Sequence, residues 1–336
     1  MKNQSKPKKS QPSRLAARRQ TIKPAPASAS VAGSFRLKQI LVTTDFSDES
    51  KKALPYAAAF AKQFGGKITL LNVVEPSSHF TGLESVVLFQ SGDAAMGQVY
   101  EGLDQLAEKS FGGKDRVTTH ARTGKPFREI IKAAGELKAG LLIMSTHGYT
   151  GLKHTLVGST TERVVQHSPC PVLAVRGGAD ETSGKRPKPV AIQRILLATD
   201  FSDDSLKAFP IAQSLAEGFC ARLTLIHVVE RFPIDALLGE ELTHQTSAQR
   251  IELARARLTG LVADLRKRGG FRADVVVRFG KPFDEIARYA KEMDASLIVV
   301  STHGYTGLKH LYLGSVAERV LRHAPCPVLV VRETKA

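Results

Sequence analysis

A doubly wound α/β domain, present twice in tandem, is the fold this sequence predicts, and three observations predict it. The chain of 336 residues repeats itself, residues 39–176 matching 194–332. Within each copy, short apolar runs alternate with segments of helical period, the pattern of a parallel sheet covered on both faces. Between the copies, GGADETSGKRPKPVA (177–191) has the glycine, proline and charge of a linker. The period is too long for a solenoid and marks duplication of a whole domain. The expected bounds are 35–176 and 193–333, joined by 177–192 and preceded by a tail over 1–34.

The first copy opens on Ile40–Thr44, apolar and β-branched and therefore a strand. A helix follows over Ala53–Phe64, with Ser47, Asp48 and Ser50 as capping candidates and Gly65–Gly66 as its stop. Pro55 and its counterpart Pro210 are expected near the helix start, where a missing N–H does least harm. Then come a strand at 68–74, a helix at about 96–111 and a strand at 117–122. A helix at 127–138, a strand at 141–145, a helix at about 158–167 and a strand at 172–175 complete five strands. The second copy repeats this order with a longer amphipathic helix at about 246–268. The copies agree best towards their ends: over 145–176 against 301–332, 23 of 32 positions are identical, including STHGYTGLKH in full.

In such a sheet ligands bind beyond the carboxyl ends of the strands, where neighbouring connections leave for opposite faces. With strand order 3-2-1-4-5 that crevice lies between strands 1 and 4. Asp45 and Asp200 end strand 1 in TDFS. Ser145-Thr-His147-Gly148 and Ser301-Thr-His303-Gly304 end strand 4, and Gly158-Ser159 and Gly314-Ser315 open the next helix. Glycines allow close approach of backbone to an anion and φ > 0, and a helix amino terminus offers unpaired N–H groups and partial positive charge. Phosphate binding is the chemistry indicated. Ser159 and Ser315 can add a hydroxyl. Asp45 and Asp200 are either helix caps or holders of a ribose hydroxyl or a divalent ion. The GKP turns at Lys125 and Lys281 lack P-loop spacing. No carboxylate or cysteine is spaced to make a metal site with the repeated histidines His147, His154, His303 and His310.

At these residues the chain resembles the universal stress protein family, in its tandem form. TDFS, NVV/HVV and STHGYTGLKH…GS…ERV…PCPVL appear in order over nearly everything but tail and linker. The family's ATP-binding pattern, G-x2-G-x9-G-[S/T], is met by Gly148, Gly158 and Ser159, and again by Gly304, Gly314 and Ser315. The first glycine is replaced by Ser145 and Ser301. The resemblance implies ATP, ADP or AMP as ligand, with magnesium at the phosphates near Asp45 and Asp200. It places the backbone of Val73 and Val228 at adenine, with Met144 and Val300 beside the base. It also implies that the last strands of the two copies pair back to back as an internal pseudo-dimer, leaving a further homodimer open.

The net charge of +16 is unevenly placed. Eight Lys/Arg fall within residues 1–34 and the first acid is Asp45, so half the net charge sits in the tail. That segment, with KPAPASAS, has no apolar surface to bury and is expected to be disordered. It is a solvated leader, a transit segment, or a contact for polyanions such as nucleic acid or an anionic membrane through residues 2–23. No apolar run approaches membrane-spanning length and no secretory pattern opens the chain, which gives a cytoplasmic expectation. Cys170, Cys220 and Cys326 form no CxxC pair; Cys170 and Cys326 read as small buried hydrophobes. The expected function is a nucleotide-binding stress or signalling protein acting on an unidentified protein partner. The alternatives are a slow ATPase or autokinase and a tail-mediated tether. No arginine finger or second carboxylate is found at the crevice, which leaves turnover the weaker reading.

Overall fold

The computed structural model describes residues 37–76, 92–112, 117–146, 157–176, 190–230, 247–269, 272–302 and 313–332. The basic tail and most of the segment between the copies lie outside the described residues. In the first copy the elements are β1 (Gln39–Thr43), α1 (Asp48–Lys51), α2 (Ala53–Phe64), β2 (Lys67–Val74) and α3 (Gly92–Phe111). β3 (Val117–Thr123), α4 (Pro126–Glu136), β4 (Leu141–Ser145), α5 (Ser159–His167) and β5 (Val172–Val175) follow. The second copy has β6 (Arg194–Ala198), α6 (Asp203–Gly218), β7 (Arg222–Glu230), α7 (Ser247–Gly269) and β8 (Asp274–Gly280). It closes with α8 (Pro282–Glu292), β9 (Leu297–Ser301), α9 (Ser315–His323) and β10 (Val328–Val331). No helix among the described residues is long and apolar enough to cross a membrane.

The ten strands form one sheet in the order β3-β2-β1-β4-β5-β10-β9-β6-β7-β8. Each half is the expected 3-2-1-4-5 parallel arrangement. The seam is the one antiparallel pairing, with Leu329 opposite Leu173. The pseudo-dimer is therefore internal. Alternation along the inner strands explains why they are largely apolar, whereas the edge strands β3 and β8 are only half-buried. Leu173 and Leu329 point into the layer with Phe60 of α2 and Leu215 of α6. Val172 and Val330 point into the other, with Val164 of α5 and Val320 of α9. Both faces are buried, as the sequence pattern requires.

Equivalent residues meet across the seam. Phe219 packs edge-on against Phe64, its counterpart, with ring centres 5.5 Å apart, and against Phe60 at 5.1 Å. Arg176 donates to the carbonyl of Arg322, and Arg332 in the matching place donates to that of Gln166. Such reciprocity is the signature of an isologous contact built within a single chain.

One local expectation needs correction. Pro210 is inside α6 rather than at its start. In the first copy the same stretch divides at Lys52 into α1 and α2, which places Pro55 in the first turn of a new helix. Proline cannot donate to the carbonyl four residues back, and only the first copy breaks the helix to accommodate this. The cap of this stretch is Ser47, whose Oγ accepts from the Ser50 N–H at 3.1 Å; Ser202 does the same for Ser205 at 3.2 Å.

The copies also end α2 and α6 differently. Gly65 stands at φ 73°, while Cys220, its counterpart, is held at φ 52°. A side chain in the left-handed region is strained where glycine is not. Cys220→Gly is expected to raise stability by about 0.5–1 kcal/mol in urea unfolding, the relief exceeding the flexibility gained by the unfolded chain.

Candidate functional site

Each TDFS segment folds as a nested turn at the carboxyl end of the first strand. The Phe46 N–H donates to Thr44 Oγ1 at 3.0 Å, and the Ser47 N–H to Asp45 Oδ1 at 3.0 Å. Phe201 and Ser202 repeat both bonds to Thr199 and Asp200 at 3.0 Å. These bonds hold Phe46 and Phe201 at φ 64°, a strained conformation for an aromatic residue, beside the switch point of each copy. Asp45 is exposed and Asp200 half-buried. Each carboxylate braces its own turn, while the helix cap is the following serine.

Facing this turn is the exit from the fourth strand. Ser145 and Ser301 remain in extended ladder positions, paired with Val175 and Val331. Serine in place of glycine therefore costs no backbone strain there. Beyond the loop the chain returns tightly: the Gly158 N–H donates to the Thr146 carbonyl at 2.8 Å, and Gly314 to Thr302 at 2.7 Å. Gly158 has φ −59° and Gly314 φ −58°, so a left-handed conformation is not why these positions are glycine. The reason at Gly158 is proximity, since a Cβ there would stand 3.2 Å from the Thr146 oxygen. Neither α5 nor α9 has a side-chain cap. Ser159 and Ser315 are exposed at the first helical position. His147, Gly148, His303 and Gly304 lie outside the described residues.

In the second copy these parts line a cleft of about 750 Å³. Asp200 and Phe201 form one wall, Ser301, Gly314 and Ser315 another, and Val228 and Val300 part of the floor. Val300 is 4% exposed, as is its first-copy counterpart Met144; Val73 and Val228 are half-buried at the ends of β2 and β7. The cleft also contains residues that motif reading missed: Arg250, Leu253 and Arg257 from α7, and Glu230 from β7. The expectation of neither an arginine nor a second carboxylate at the crevice is thus overturned for this copy, where Arg250, Arg257 and Glu230 line it beside Asp200. Arg250, Leu253 and Arg257 come from a helix where the two copies have diverged, and setting Arg257 against Gly102, its counterpart, was the available signal; Glu230 ends the VVE stretch that both copies share.

Arg257 lies over the Phe201 ring, its guanidinium carbon 4.4 Å from the centroid. The other neighbour of Phe201 is His227, with ring centres 4.4 Å apart. His227 donates through Nδ1 to the Thr199 carbonyl at 2.9 Å, and Asn72 performs the same task for Thr44 at 2.8 Å. Burial holds the His227 pKa below its ordinary value of 6.5. Arg257 pushes the same way, whereas the Thr199 bond and Asp200 oppose the shift. The native state thus refuses a proton that the unfolded chain accepts. Stability should be complete above about pH 6.5 and fall as the pH drops below it, by at most about 1.4 kcal/mol per pH unit. His227→Asn keeps the bond to Thr199 and should flatten this part of the stability profile in urea titrations between pH 7 and 5.

Among the described residues no group of three His, Cys, Asp or Glu is placed to hold a metal ion. Burial pushes the Cys170 thiol up and that of Cys326 up to about 12, so both stay protonated, as small buried hydrophobes do.

Two doubly wound domains joined through their last strands, each with a helix amino terminus lacking a side-chain cap after its fourth strand, define a tandem α/β protein. The chain belongs to the universal stress protein family, whose model matches residues 36–176 and again 191–332. Universal stress protein Slr1230 from Synechocystis is 26% identical over 323 residues, covering 88% of this chain and all of that one. Universal stress protein MJ0531 from Methanocaldococcus jannaschii is 37% identical over 143 residues, 43% of this chain and 84% of its own. Among solved structures, a universal stress protein from Archaeoglobus fulgidus superposes with a TM-score of 0.63 at 25% identity, covering 88% of this chain and 98% of the other.

Proposed function

We propose that this is an adenine-nucleotide-binding stress-response protein with two sites, whose occupancy alters its interaction with a protein partner in the cytoplasm. The observation that carries the reading is the pair of α5 and α9 amino termini, uncapped by side chains and opening beside the TDFS turn. Unpaired N–H groups at such a terminus suit a phosphate chain. The cleft, about 750 Å³, is of the size that small-molecule sites have. Val228 and Val300 in its lining suit a flat base, and Asp200 in the same lining would accept from a ribose hydroxyl. Each copy offers a magnesium ion one carboxylate, Asp45 or Asp200, with the remaining ligands left to phosphate and water. Bound nucleotide would favour one conformation of the protein over another, and a partner that distinguishes them would read occupancy.

Denaturing freshly purified protein and identifying the released small molecules by mass spectrometry tests the reading, together with calorimetric titration of ATP into nucleotide-free protein. Released adenine nucleotide and saturable ATP binding are expected. Absence of both would refute it.

A further inference from the structure

The helices that cover the two copies differ in charge. The helix covering the first copy, α3, has one basic residue, Lys109, against four acidic ones, Asp93, Glu101, Asp104 and Glu108. Its counterpart α7 has six basic residues against two acidic ones. The difference extends to the mouth of the site. Gly102 lies so close beneath Phe46 that an added Cβ would meet the ring at 3.2 Å, and the aromatic rests on bare helix backbone. In the second copy the same helical position is Arg257, stacked on Phe201 and lining the cleft with Arg250. Arg255 is paired with Glu252 at 3.5 Å, whereas no carboxylate among the described residues takes the charge of Arg257.

We infer that Arg257, assisted by Arg250, makes the second copy the charge-selective site, which fills first and prefers a ligand rich in phosphate. The inference rests on the nucleotide reading above and adds an order of filling to it. A guanidinium held on an aromatic face is oriented without losing its charge. In this cleft Arg250 and Arg257 offset Asp200 and Glu230, whereas Gly102 gives the first copy no such cation at the equivalent place. A guanidinium beside an anionic ligand attracts it with a strength that weakens as salt rises. The acidic α3 acts in the opposite sense on the first copy. Uncharged adenosine gains nothing from either feature, so the two copies should discriminate ATP from adenosine to different degrees.

The test is calorimetry on the full chain with ATP and with adenosine, at low and at physiological salt. At low salt ATP should bind in two steps, the first about tenfold tighter. Gly314→Val should remove the tight step and Gly158→Val the weak one. Arg257→Gln preserves the aliphatic stem over Phe201 and the helix. It should weaken the tight step about tenfold, leave the weak step unmoved, and leave adenosine binding as it was. Two equal steps at low salt, a tight step that survives Gly314→Val, or an Arg257→Gln variant with unchanged ATP affinity each overturn the inference while the nucleotide reading stands. Failure of the wild-type chain to bind ATP at all overturns both.

Discussion

Replacing Gly158 and Gly314 together by valine is expected to eliminate ATP binding from a protein that still folds. Both glycines have φ near −60°, which valine tolerates, so the backbone conformation itself is not forbidden. Space is the obstacle. At Gly158 the first side-chain carbon would already stand 3.2 Å from the Thr146 oxygen, before the two methyls of valine are placed. The backbone there must give by a few tenths of an ångström, and the first turn of α5 shifts with it. A displaced turn no longer aims its amides at the phosphates. Losing two charge-assisted hydrogen bonds costs about 3 kcal/mol or more, roughly a hundredfold or greater loss of affinity per site. Titration of ATP into the double variant, with circular dichroism confirming the fold, checks this. Wild-type affinity in the folded variant would remove the helix termini from the site.

The largest expected effect on stability comes from the seam. Leu173 and Leu329 face each other across β5 and β10 and are wholly buried. Truncating a buried leucine to alanine costs about 2–5 kcal/mol, and the stability of a whole domain is only about 5–15 kcal/mol. Leu173→Ala with Leu329→Ala should therefore shift the urea midpoint strongly downward. It should also divide a single unfolding transition into two as the copies uncouple. The apolar strands Val172–Val175 and Val328–Val331, no longer covered, become sheet edges that invite association. Aggregation at intermediate urea is the corresponding observation. An unchanged midpoint would show that the copies are held together elsewhere, the Phe60–Phe64–Phe219 cluster being the next contact to probe.

Much of this architecture was legible in the sequence because it rests on patterns that survive duplication. Fully apolar strands such as Val172–Val175 announce a sheet buried on both faces, and the repeat gave each element a second, independent reading. The site was legible in its glycines and serines but not in its reasons. Gly158 is recognisable by its spacing, yet it is glycine because of the Thr146 carbonyl, a neighbour that only the fold brings there. The left-handed Phe46 and Phe201 were invisible, since side-chain bonds from Thr44, Asp45 and their counterparts impose that conformation, and the residue type does not suggest it. Asp45 and Asp200 could be read as caps or ligand holders; within the turn each braces its own backbone, and the capping falls to Ser47 and Ser202. Arg257 went unread because it lies in no motif, on a helix whose role at the cleft emerges only when α7 is seen over β7 and β8.

A crystal structure of the chain grown with a non-hydrolysable ATP analogue decides between a nucleotide protein and a pair of inert fused domains. Density is expected in both crevices, with phosphate oxygens within hydrogen-bonding distance of the amides that open α5 and α9 and the base above Val73 and Val228. Crevices left empty at saturating analogue, or closed by the protein's own side chains, would contradict it.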